Sequence, residues 1–203
     1  MNKMQQAIDK LIAGGIIIIQ DDKSRENEGD LVCSAAHCSA ENINFITQYA
    51  RGVVCLALSY VKVQSLQLAM QPRRGANMFQ TPFTVSIDAA KGITTGVSAA
   101  ERALTIRTAA AENCRVEDLA TPGHIFPLRA HPEGLVARSG HTEASIAIME
   151  LAGLSASAVV CEIMNLDGSM SRTVDLEKFS LEHDLPMVTV AEIKQYMLQR
   201  VEG

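Results

Sequence analysis

Apolar positions along the chain change period repeatedly, from the spacing of helices to the short continuous runs of buried strands. Met4, Ile8, Leu11 and Ile12 recur at helical spacing, which predicts an opening amphipathic helix stopped by Gly14 and Gly15. Ile16 to Ile19 is β-branched and apolar on both faces, as a buried strand is. Leu31 to Cys33, Val53 to Leu58 and Ala158 to Met164 predict further strands, and Phe83 to Asp88 alternates like a half-buried one. Helices are predicted from the capping Ser39 through Ala50, over Val61 to Met70, over Thr142 to Ala152 and over Asp175 to His183. Two more open on capping boxes, Ser98-Ala99-Ala100-Glu101 running to about Ala111, and Thr189-Val190-Ala191-Glu192 running to Val201. Residues 71–81 read as an exposed loop. Thr121-Pro122-Gly123 reads as a turn, with His124 to Ala130 extended beyond it. The segments mostly alternate, with no repeat and no low-complexity linker. They predict one α/β domain over residues 1–203, with a mixed, α+β-type sheet flanked by helices.

Composition narrows this picture. Aromatic residues are only 4% of the chain, so the core is aliphatic. A net charge of −5 lacks the basic stripe of a nucleic-acid binder, yet a few local arginines can still hold a phosphate. The five cysteines are widely spaced without a CxxC pair, which points to neither a disulfide framework nor a structural zinc. The polar N-terminus and the short apolar runs predict a cytoplasmic chain with no membrane segment. No GxSxG elbow, P-loop or GxGxxG is present.

Four segments carry candidate chemistry. Asp21 to Asp30 is dominated by charge and directly follows the Ile run. A carboxylate-rich loop at a strand end suits a hard divalent cation, and Arg25 suits a phosphate; a solvated charged loop is the plainer alternative. Arg138-Ser139-Gly140-His141-Thr142-Glu143 sets a helix start beside an arginine and a histidine, which suits an anion or a metal, or is simply a capped helix with a surface histidine. His124, after the Thr-Pro-Gly turn, is either a catalyst or a structural residue. Glu162 lies in an apolar strand. A carboxylate there is an acid–base candidate if it faces the core side, and unremarkable if it faces solvent.

In this order, DDKSRENEGDL (21–31), FTVSIDA (83–89), GITTGVSAAERA (92–103), TPGHIFPLRA (121–130), RSGHTEA (138–144) and CEIMNLDGSM (161–170) resemble the 3,4-dihydroxy-2-butanone 4-phosphate synthases of riboflavin biosynthesis. The combination of RENEGD and GHTEA is highly specific. The resemblance implies a three-layer synthase-type fold, a homodimer with active sites near the interface, and D-ribulose 5-phosphate as substrate. It implies two Mg²⁺ ions, with Mn²⁺ as an alternative, held by Glu26 and His141. It further implies substrate contacts from Arg25, Glu26, Asp30, Arg138, Ser139, Gly140, His141, Thr142 and Glu162, and catalysis by His124 and Glu162. Cations on the C2 carbonyl and hydroxyl oxygens would stabilise an enediolate, and the skeletal shift would release C4 as formate. Glu101 and the 71–81 loop depart from the family pattern. The rivals are another metal-dependent phosphosugar isomerase or aldolase, and a non-catalytic binding module.

Overall fold

The structure, a computed structural model, describes residues 2–75 and 81–201. In chain order the elements are α1 (Lys3–Ile12), β1 (Ile16–Gln20), β2 (Gly29–Ser34), α2 (Ala40–Tyr49), β3 (Cys55–Leu58) and α3 (Tyr60–Ser65). Then come β4 (Ile87–Ala89), α4 (Ala99–Ala110), β5 (Leu119–Arg129), α5 (Gly134–Ala137), α6 (His141–Leu151), β6 (Ser157–Glu162), α7 (Thr173–His183), β7 (Met187–Thr189) and α8 (Val190–Val201).

The seven strands form one mixed sheet in the order β4-β5-β3-β6-β2-β1-β7. β1 pairs antiparallel with β2 and parallel with β7, and β3 pairs parallel with β5. Successive strand side chains point to opposite faces, so the Ile run divides between two cores. Ile16 and Ile18 join Ile43 and Ile46 of α2, Ala103 and Ile106 of α4, and Leu176 of α7. Ile17 and Ile19 join Met4, Ile8 and Leu11 of α1, the small residues of α6, and Ile193 of α8. The expected three layers result, because an aliphatic sheet apolar on both sides must be covered on both. Among the described residues, no helix is long and apolar enough to cross a membrane.

Local chemistry explains most boundaries. Ser39, Ser98 and Thr189 each accept from the backbone N–H three residues on, as their capping positions predict. Several expectations need correction. The helix expected to reach Met70 stops at Ser65, because Gln67 adopts a left-handed φ of 52° and Met70 instead bridges Thr84. The strand expected at Phe83 to Asp88 survives as β4 plus isolated bridges at Phe83 and Thr84. Thr121 to Gly123 lie inside β5 rather than in a turn, and the irregularity is a register shift between Ile87 and Asp88. The short β7 and α5 were not predicted, since three or four residues carry no readable period. Of the 71–81 loop, residues 76–80 lie outside the described residues.

Candidate active site

The charged segment bridges the antiparallel pair β1 and β2, where Gln20 faces Gly29 and the Asp21 N–H donates to the Glu28 carbonyl at 2.9 Å. Asn27 takes a φ of 54°, which asparagine tolerates better than most residues. Asp21 organises the turn. Its buried carboxylate accepts from Arg25 at 2.5 Å and from the N–H groups of Asp22 at 2.7 Å and Glu26 at 3.3 Å. Arg25 also donates to Glu26 at 2.8 Å.

Sheet register supplies the next two carboxylates. Val32 and Val160 face each other in the core under α6, and two residues along the same pair of strands, Asp30 faces Glu162. Period-two alternation puts all four on one face. Glu162 therefore turns to the α6 side rather than to solvent, and its Oε2 accepts from the Val53 N–H at 3.1 Å.

The third contribution is the start of α6. Gly140 is its N-cap and no side chain caps it, so its first-turn amides suit an anion. Glu143 lies fully buried beneath; it accepts from Arg138 at 2.5 Å and from the His131 N–H at 2.9 Å, which aims the Arg138 guanidinium. Arg25, Glu26, Glu28, Asp30, Arg138, His141, Thr142 and Glu162 thus share one cavity of about 110 Å³, whose wall also includes Cys55, Thr81 and Phe83. Of the expected site residues, Ser139 and Gly140 sit beside this cavity, and Ser139 meets Lys194 at 3.4 Å.

His124 stands apart. Its Nδ1 lies 2.7 Å from Asp88 Oδ2 and its backbone N–H donates to Asp88 Oδ1 at 3.0 Å, but it does not line the cavity. Asp88 accepts the Nδ1 proton and leaves Nε2 for chemistry. Asp88 and Arg172 escaped the sequence reading as site residues, since nothing in their local pattern names a partner dozens of residues away.

The electrostatics favour a cation. Burial pushes the Asp30 carboxyl up to about 7, despite the opposing pull of His141, with the Glu162, Glu26 and Glu28 charges adding to the rise. Burial alone would lower His141, but Asp30, Glu26 and Asp21 outweigh it and lift the imidazole to about 9. His141 Nε2 and Asp30 Oδ1 are buried without a hydrogen-bond partner. Asp21, Glu26 and His141 offer ligand atoms all within 4.8 Å of one another. Oxygen and imidazole donors of this kind fit Mg²⁺ or Mn²⁺. Asp21 is already engaged by three donors, whereas Glu26 accepts from Arg25 at 2.8 Å and lies 3.6 Å from His141 Nδ1.

One stability prediction follows from this charge pattern. An unfolded histidine titrates near 6.5, against about 9 for His141 in the fold. The imidazolium therefore stabilises the metal-free fold fully below 6.5, and that stability is lost as pH rises through about 9. Asp30 has the same sign over its own window, from 3.8 to about 7. Calorimetry in EDTA is expected to show the melting temperature falling between pH 6.5 and 9, with a flatter profile for His141→Gln. Equal slopes for the two proteins would refute this origin.

This combination defines an α/β protein with a candidate cation site, rich in oxygen donors, beside an uncapped helix start suited to an anion. A family model for 3,4-dihydroxy-2-butanone 4-phosphate synthase matches residues 5–196, and the chain belongs to that family. It is 45% identical over 198 residues to the synthase of Pseudomonas aeruginosa, covering 98% of this chain and 54% of that protein. With the synthase of Pectobacterium carotovorum the identity is 44% over 194 residues, covering 96% and 89%. A solved two-domain synthase from A. baumannii superposes with a TM-score of 0.92 at 42% identity, covering 96% of this chain and 57% of that one. A synthase solved in complex with two magnesium ions superposes with a TM-score of 0.91 at 32% identity, covering 100% and 99%. The chain thus spans little more than half of the Pseudomonas and A. baumannii proteins.

Proposed function

We propose that this chain, as one unit over residues 1–203, is a divalent-metal-dependent lyase that converts D-ribulose 5-phosphate to L-3,4-dihydroxy-2-butanone 4-phosphate and formate. The two products together contain every atom of the substrate, so water lost in one step is regained in another and no co-reactant is consumed. The observation that carries the reading is the convergence of Glu26, Asp30, His141 and Glu162 on one cavity, beside Arg138 at the open start of α6. The magnesium-bound relative supports two Mg²⁺ ions, with Mn²⁺ as a substitute.

Glu26 and His141 are the ligands in this reading, and bound cations would supply Lewis-acid polarisation of the C2 carbonyl and neighbouring hydroxyls. Arg138, Ser139 and the backbone amides of the N-cap Gly140 and the first-turn Thr142 bind the phosphate, with Arg25 as a second cationic contact. Asp30, poised near neutrality by burial, takes the C3 proton and returns it. Glu162, oriented by the Val53 N–H, assists departure of the C1 hydroxyl. His124 exchanges protons at Nε2 while Asp88 holds its tautomer. Because that dyad does not line the cavity of its own chain, the reading includes a homodimer whose second copy brings dyad and cavity together.

The deciding assay follows ¹³C-labelled ribulose 5-phosphate by NMR, with Mg²⁺ or with EDTA. Labelled formate from C4 and a four-carbon ketone phosphate are expected, and EDTA should abolish both. Metal-dependent turnover without formate would replace this reading with an isomerase or aldolase.

A further inference from the structure

The loop that carries Glu26 is held from behind by the start of α7. Arg172, the residue just before that helix, donates from one guanidinium nitrogen to the Glu26 carbonyl and, at 2.9 Å, to the Asn27 carbonyl. The same nitrogen lies 3.6 Å from Glu28 Oε1. Thr173 adds a contact of 3.5 Å to the Asn27 side chain and accepts from Gln20 at 2.7 Å. One helical turn on, Leu176 packs so closely on Gly29 that a Cβ there would lie 2.6 Å from it. Both ends of the loop and its apex are thereby tied to one helix terminus.

The loop has reason to need such a tie. Asp21, Glu26 and Glu28 crowd its few residues, and Asp30 and Glu162 face the same cavity. Like charges this close push apart, and the internal bonds around Asp21 do not engage the Glu26 and Asn27 carbonyls. Arg172 meets those carbonyls and brings a positive charge to the side of the loop away from the cavity, which it does not line. Its backbone N–H separately bonds Asp175 at 3.0 Å, so the helix cap does not depend on its side chain.

We propose that Arg172 is the positioning residue of the metal site, fixing the backbone of Glu26 and Asn27 so that the Glu26 carboxylate stays aimed at His141. The proposal rests on the reading of Glu26 as a metal ligand. Groups that orient a ligand typically change metal affinity or activity by about 10–100-fold when removed. Mg²⁺ titrated calorimetrically into the 203-residue Arg172→Gln chain is expected to bind about 10–100-fold more weakly. The Mg²⁺ concentration for half-maximal turnover should rise in step, while kcat at saturating Mg²⁺ stays within a few-fold of the parent. Arg172→Lys, which keeps the charge and one donor, should recover part of the affinity. Unchanged Mg²⁺ affinity in both variants, even with a lowered melting temperature, would overturn the proposal and leave Arg172 a structural tie. Glu26→Gln run alongside separates the two readings: if it too binds Mg²⁺ normally, the ligand assignment fails, and if it alone loses the metal, only the role of Arg172 fails.

Discussion

Glu26→Gln is expected to lower kcat/KM by ~10³-fold or more, equivalent to about 4 kcal/mol of transition-state stabilisation. The substitution keeps the side chain's shape and removes only the charge that a hard cation requires. Arg25 remains anchored by Asp21 at 2.5 Å, so the phosphate-side contacts should persist. The variant should also have a distinctive stability signature. His141 and Arg25 hold the Glu26 carboxyl below the usual carboxylate range, so the metal-free fold favours this charge in spite of the neighbouring acids. The metal-free variant should therefore melt somewhat below the parent at neutral pH, and the rise in melting temperature that Mg²⁺ confers on the parent should vanish. Steady-state kinetics and Mg²⁺-dependent calorimetry check both halves. Retention of Mg²⁺-dependent turnover near the parent rate would rule out Glu26 as a ligand.

The largest effect on stability is expected from Gly123→Ala. A Cβ at Gly123 would sit 2.1 Å from the carbonyl carbon of Ile87 and 2.3 Å from the Asp88 nitrogen. These are backbone atoms of the neighbouring strand, so no side-chain rotation can clear them. β4 and β5 would have to separate where their register already shifts between Ile87 and Asp88. Overpacking against rigid atoms costs about 3 kcal/mol or more. For a chain of this length that corresponds to a fall in melting temperature of about 6–12 °C. The loss should extend to chemistry, since Asp88 and His124 are paired across the same two strands. A Gly123→Ala protein that melts with the parent would show that the two strands do not approach as closely as described.

Those two residues illustrate how unevenly the molecule was legible. Glu26 stands in a run of charge directly after four isoleucines, and both features survive any tertiary context. Gly123 reads locally as part of a Thr-Pro-Gly turn, yet it is a strand residue pressed against another backbone. The same contrast holds for helices. Ser98 with Glu101 and Thr189 with Glu192 are capping boxes whose partners are three residues apart, and both form. The helix begun at Tyr60 ends early because Gln67 turns left-handed, to bring Met70 beside Thr84, a residue outside any local window.

The sequence by itself determined the aliphatic two-sided sheet, the alternation of elements, and the segments that hold Glu26, Asp30, His141 and Glu162. Each rests on period, composition or short motifs, which act within a few residues. Only the tertiary structure decided that Asp30 faces Glu162, because that depends on strand register between segments more than a hundred residues apart. It alone buried Asp30 enough to lift its carboxyl to about 7, set Glu143 beneath Arg138, and tied Arg172 to the loop of Glu26. It also separated His124 from the cavity and gave it Asp88 instead. Such contacts are chosen by how whole layers pack, a property of the sum of many weak local preferences and legible in none of them singly.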